Sequence, residues 1–123
     1  MSELNAAEQK LLLALARWTI GVKLSIEPPR DFFPDFTREV GRHPLFEEKR
    51  GAFVTLRQSE ALRGCIGSMF GTQPLHETIV SMARSSAFRD PRFTPLSRDE
   101  FENTSIEISV LSPLSRIDDP NII

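Results

Sequence analysis

The sequence predicts an α+β domain built on a largely antiparallel sheet flanked by helices. Two observations carry this expectation. The elements run helix, hairpin, helix, short helix, strand, an order that suits an antiparallel sheet with helices packed against it. The hairpin itself is the clearest β signal: Ala52-Phe-Val-Thr-Leu-Arg57 and Ala61-Leu-Arg-Gly-Cys-Ile66 are joined only by Gln58-Ser-Glu60. At 123 residues the chain fits one domain. A chain of that size hides roughly two thirds of its extended surface, enough for one sizeable core.

Asn5-Ala-Ala-Glu8 is a capping-box pattern that opens a helix over about residues 5–24. Leu4, Ala7, Leu11, Leu15, Trp18 and Val22 recur at helical spacing, and Leu12, Leu13, Ala16 and Ile20 widen the stripe. Pro28-Pro29 is expected to end it. Residues 25–50 read as a long connection whose Phe32, Phe33, Phe36 and Phe46 should wrap the domain and plug it, by packing or as a lid. After the hairpin, the loop from Gly67 leads to Pro74 at the start of a helix with Leu75, Ile79, Met82 and Ala83 on one face. Pro91 and Pro95 make the next segment irregular. Ser97-Arg-Asp-Glu100 is a second capping box, opening a short helix through Phe101. Ile106, Ile108 and Val110 alternate with Glu107 and Ser109, a half-buried strand closed by Pro113. Asn121-Ile-Ile123 reads as the start of a strand, so the 1–123 domain is expected to be cut short at its C-terminus.

Composition is ordinary for a globular protein, 40% hydrophobic and 26% charged. No apolar run approaches the ~20 residues that span a bilayer. The first ten residues carry two acids before their first base, the reverse of a signal peptide. Cys65 is the sole cysteine, which excludes an internal disulfide and makes a reducing, cytoplasmic setting the default. With two scattered histidines it falls short of a zinc set, so no metal site is expected. The net charge is −2, and 12 of the 15 bases are arginine. Arg84, Arg89, Arg92 and Arg98 crowd together with only Asp90 among them. Arginine forks suit carboxylate or phosphate, while the plain alternative is weak surface pairing with nearby acids. A pI near 5.7 lacks the basic footprint of a nucleic-acid binder.

Leu62-Arg-Gly-Cys-Ile-Gly67 is the first candidate for chemistry. Alternation along a strand sends Leu62, Gly64 and Ile66 toward the core and Arg63, Cys65 and Gly67 the other way. Residues i and i+2 lie roughly 7 Å apart, close enough for a guanidinium to favour thiolate. Gly64 and Gly67 admit a close backbone or ligand approach. One reading is thus a reactive or ligand-contacting Cys65 beside an anion-binding Arg63. The other is a small hydrophobic cysteine, with the glycines serving a bulge. Gly64, Gly67 and Gly71 match no known phosphate loop, although a glycine-rich run into a helix start exposes amides to an anion, with capping by Thr72 or Gln73 an equal explanation. A Cys65–His76 pair is conceivable, and His43 carries no pattern of its own. In Arg89-Asp90-Pro91-Arg92-Phe93, Asp90 can orient either arginine and leave the other for a ligand, or simply lock the loop.

Leu62–Gly67, Asp90-Pro-Arg-Phe93 and Ile106-Glu-Ile-Ser-Val-Leu-Ser-Pro113 together resemble the AMMECR domain family, whose prokaryotic members are called AmmeMemoRadiSam system protein A. The resemblance implies a two-lobed α/β domain with the hexapeptide facing a cleft between lobes. It also implies Memo-like and radical-SAM partners, with no reaction established and the cofactor unknown. Carried over by position, Leu62 to Gly67 and Asp90 to Phe93 match the motifs. The resulting expectation is a cleft that holds an anionic ligand or modified side chain. Its binding residues are Arg63, Gly64, Gly67, Asp90 and Arg92, and in an enzymatic version Cys65 is the catalytic nucleophile. The alternatives are an interaction module using the Arg84–Arg98 face and, third, nucleotide or RNA binding.

Overall fold

The structure is a computed structural model that describes residues 4–111. The expected Pro113 strand end, the final Ser-Pro of the third motif and the Asn121–Ile123 segment lie outside the described residues. The first helix, α1 (Ala6–Lys23), opens on the capping box: Glu8 N–H donates to Asn5 Oδ1 at 2.8 Å and Asn5 N–H to Glu8 Oε1 at 3.0 Å. It stops five residues before Pro28, not at the prolines. The stop is a turn in which Leu24 and Ile26 N–H both reach the Gly21 carbonyl while Ser25 adopts a φ of 60°. The buried stripe is Leu12, Leu15, Ala16, Thr19 and Ile20, while Leu13 and Val22 are exposed. Both stripes obey helical spacing; the position of the neighbouring helix selects between them.

Residues 25–50 are not a plain connection. They form α2 (Phe32–Val40) and α3 (Pro44–Glu47). Pro34 concealed α2 from sequence reasoning, yet it sits in the first turn, where no intrahelical N–H bond is lost. Phe36 and Phe46 are buried in the core, with ring centroids 5.8 Å apart.

The sheet is three-stranded and antiparallel in the order β2-β1-β3, with β1 Ala52–Gln58, β2 Ala61–Ser68 and β3 Thr104–Val110. Helix α4 (Leu75–Phe88) covers the inner faces of β1 and β2, and α1 packs on α4 and on β3. The core joins Ala52, Val54 and Leu56 of β1 to Leu75, Ile79 and Ala83 of α4 and to Leu12 and Ile20 of α1. Short α5 (Arg98–Phe101) carries the second capping box and precedes β3. Arg17 ties α1 to this corner by donating to the Phe101 and Thr104 carbonyls, and burial lowers its pKa.

One irregularity decides the site. Leu56 pairs with Gly64, but the next residue of β1, Arg57, pairs with Leu62, so Arg63 is an extra residue in a β-bulge. Simple alternation therefore fails at Leu62, which shares the outer face with Arg57 and is exposed, contrary to the expectation that it points inward. Gly64 does face inward, where a Cβ would lie 2.2 Å from the Ser86 carbonyl oxygen of α4. The helix backbone rests directly on the strand at that point. Replacing Gly64 with Ala is expected to cost about 2 kcal/mol or more, because the obstructing atom is backbone and cannot step aside. A urea midpoint unchanged from wild type would contradict this packing.

Candidate functional site

Residues Arg89–Leu96, between α4 and α5, run along the outer edge of β2. The turn is closed by Phe93 N–H on the Asp90 carbonyl and anchored by Leu96 N–H on Ala87. This path brings Asp90 to Cys65, whose backbone N–H donates to Asp90 Oδ2 at 3.0 Å. Asp90 also accepts from Arg92 N–H at 3.1 Å, from Arg92 Nε at 3.0 Å and from Nη2 at 2.7 Å. Arg92 Nη2 reaches the Cys65 carbonyl as well, at 3.3 Å. A buried carboxylate and one guanidinium thus take both outward backbone groups of Cys65, as a neighbouring strand would. Of the two arginines flanking Asp90, it holds Arg92. The Arg92 hydrogen bonds keep the Asp90 carboxyl well below the usual carboxylate range, and the same bonds raise the Arg92 pKa.

Arg63 has a different destination. Its Nε and Nη2 grip both oxygens of Glu100 at 3.0 Å each, and its side chain is only 11% exposed. The bulge takes Arg63 out of strand alternation, so it is not the free cation beside the thiol that two-residue spacing suggested. The guanidinium next to Cys65 is that of Arg92, which remains 55% exposed and donates from Nη1 to none of the described residues. Phe93 lies beneath both guanidiniums, 5.8 Å from Arg63 and 5.4 Å from Arg92.

Cys65 is half buried on the outer face, with Sγ 3.2 Å from Thr55 Oγ1. Gly67 shares that face and is filled by the Phe53 ring, so its missing side chain serves packing; a Cβ there would lie 2.3 Å from the ring. His76 does not pair with Cys65. It begins the helix on the opposite face, with Nε2 3.5 Å from Glu47. His43 lies between two carboxylates, Glu8 at 2.9 Å and Glu39 at 3.2 Å. Neither Thr72 nor Gln73 caps α4, whose N-cap is Pro74 with no side-chain cap. No group of three or more metal-ligating side chains occurs among the described residues.

Glu100 is the site residue that sequence reasoning missed. Its place in the capping box was visible; its second task, 37 positions from Arg63, was not. Hydrogen bonds from Arg63, then from the Ser97 backbone, hold its carboxyl down to about 2, against 4.5 for an unperturbed glutamate. A depressed folded-state pKa stabilises the fold above the unfolded value, and that contribution disappears as pH falls toward the folded value. Wild type should therefore lose stability on acidification from pH 4.5 to about 2. Glu100→Gln is expected to be less stable at neutral pH and to show a shallower loss over that window, read from urea midpoints. Identical pH profiles would refute the pairing.

Comparison with known proteins agrees with this layout. The AMMECR1 family model matches residues 13–123. A Methanosarcina acetivorans protein is 37% identical over 120 residues, covering 95% of this chain and 57% of the relative. A Saccharolobus solfataricus protein is 35% identical over 116 residues, covering 91% and 48%. The crystal structure of an uncharacterised Pyrococcus horikoshii protein superposes with a TM-score of 0.69 at 38% identity, covering 85% of this chain and 51% of that one. The chain spans about half the length of the relatives it matches. A match over nearly the whole chain, joined to an α+β antiparallel fold shared with a solved relative, makes this chain a member of the AMMECR1 family.

Proposed function

We propose that the outer face around Cys65 is a binding surface for an anionic group, a free ligand or a modified side chain, with Arg92 as its cationic contact. The observation that carries this reading is Arg92 itself. Asp90 immobilises its Nε and Nη2 against the Cys65 backbone, while much of the guanidinium stays open to solvent. A guanidinium already ordered loses little further entropy when an anion docks. Asp90 is a positioning residue for Arg92. Arg63 and Gly64 support the strand from below, one through Glu100 and the other through the helix contact. In an enzymatic version Cys65 would be the nucleophile acting on the bound group.

The test compares alkylation of Cys65 by anionic iodoacetate and by neutral iodoacetamide. A cation beside the sulfur favours the anionic reagent, so the iodoacetate-to-iodoacetamide rate ratio should exceed that of a free thiol. It should fall several-fold in Arg92→Gln, while Arg84→Ala leaves it unchanged. Inorganic phosphate should slow both reagents in wild type only. A ratio equal to that of a free thiol, insensitive to position 92, would remove the proposal.

A second reading rests on a separate observation. Arg57, Arg63 and Arg92 each hold an acid, but Arg84, Arg89 and Arg98 form no ion pair with any described residue. The plain alternative of local surface pairing does not describe these three. We propose that this end of α4 and the start of α5 dock an acidic polypeptide. The Memo-like and radical-SAM proteins implied by the family resemblance are the first partners to try. Capture of such a partner should weaken with salt, survive Cys65→Ala and fail in an Arg84→Ala/Arg98→Ala double variant. Salt-independent capture would dismiss it.

A further inference from the structure

A second cluster of titratable groups lies away from the anion site, at the turn after α2. His43, just before α3, presents its two ring nitrogens to two different helices. Nδ1 lies 2.9 Å from Glu8 Oε2, in the first turn of α1. Nε2 lies 3.2 Å from Glu39 Oε1, in the last turn of α2. The Phe46 ring packs against the imidazole, with centroids 5.1 Å apart. All three polar side chains are mostly buried, with exposures of 11% for Glu8, 18% for His43 and 30% for Glu39. The acids stand at opposite ring nitrogens, so the three groups cannot close on one cation.

Proton counting fixes what this arrangement needs. A neutral imidazole has one donor and one acceptor, whereas an ionised carboxylate only accepts. Both contacts are hydrogen bonds only when His43 carries protons on both nitrogens; in the neutral ring, one nitrogen lone pair faces a carboxylate. Glu8 is the better-tied acid. Its other oxygen accepts from Asn5 N–H, and the bonds from Asn5 and then His43 hold its carboxyl below the usual range. Glu39 has an alternative cation in Arg42, whose Nη1 donates to its other oxygen at 2.9 Å. The neutral ring therefore keeps its proton on Nδ1 for Glu8 and gives up the one on Nε2, leaving Glu39 to Arg42. Helix α2 has little else to hold it. Phe36 is its one buried residue, and a cavity of about 400 Å³ lies between α2 and α1, lined by Leu15, Phe33, Phe36 and Val40.

We propose that α2 is a pH-gated lid: doubly protonated His43 latches it to α1 through Glu8 and Glu39, and loss of the Nε2 proton frees its C-terminal end over the cavity. Histidine changes charge between about pH 5 and 8, while carboxylates stay ionised across that range. The latch is therefore closed at the acidic side and loosens as pH rises. Arg42 is the one further charged side chain paired with the cluster among the described residues. The other histidine at the cavity, His76 of α4, pairs with Glu47 of α3 at 3.5 Å and with no acid of α2. This proposal is independent of the anion-binding reading.

The test records the His43 ring nitrogens by NMR, and amide exchange in α2, at about pH 5.5 and about pH 8.5 in isotope-labelled chain. Both nitrogens should carry protons at the lower pH, and Nδ1 alone at the higher. With β1 amides as the reference for the intrinsic pH dependence of exchange, those of Phe36 to Val40 should open about tenfold more at the higher pH. Glu39→Gln supplies an amide that accepts from the imidazolium and donates to the neutral ring. In that variant α2 should stay protected at the higher pH, where wild type has loosened. His76→Gln should keep the wild-type response. Equal opening of α2 at both pH values in wild type would overturn the proposal, as would a neutral ring protonated on Nε2. An unaltered response in Glu39→Gln would overturn it too, and so would a response lost in His76→Gln, which would assign the effect to the other histidine.

Discussion

The carboxylate of Asp90 joins the two halves of the site. It accepts from the Cys65 backbone on one side and from the Arg92 backbone and guanidinium on the other. Without it the edge of β2 would expose an unpaired N–H, the 89–96 loop would lose its contact with the sheet, and Arg92 would sweep freely through solvent. Low exposure strengthens these bonds, because a buried carboxylate with several donors has no competing water. The two motifs that sit 25 residues apart in the chain are one hydrogen-bonded unit in space.

The placement of arginines follows from how each is satisfied. Arg63 enters the bulge and is neutralised by Glu100, which makes it part of the framework holding α5 against β2. Arg92 is fixed without being used up. Arg84, Arg89 and Arg98 are left to solvent. Asp90 and Glu100 are held by Arg92 and Arg63, so neither of these two acids pairs with the exposed Arg84, Arg89 or Arg98.

The sheet explains why this region can be both rigid and accessible. Its inner face over β1 and β2 is covered by α4, whose backbone approaches Gly64 too closely for any side chain. Its outer face carries Cys65, Thr55 and the Phe53 ring over Gly67. At the β2 edge, Asp90 and Arg92 take the outward backbone groups of Cys65.

Local rules were enough for the elements whose signals are local. Both capping boxes, the hairpin, the α4 start at Pro74 and the β3 alternation were legible because each depends on residues within one or two turns or strand steps. The three motifs and the family resemblance also came from the amino-acid order alone. What only tertiary structure decided were the partnerships between distant residues. The bulge at Arg63 arises from the pairing of two strands, and it moved Leu62 outward and sent the guanidinium to Glu100. Which stripe of α1 is buried, whether the phenylalanine-rich stretch is helical, and which cation stands beside Cys65 were all settled by packing and long-range hydrogen bonding, energies that do not exist until the chain has closed on itself.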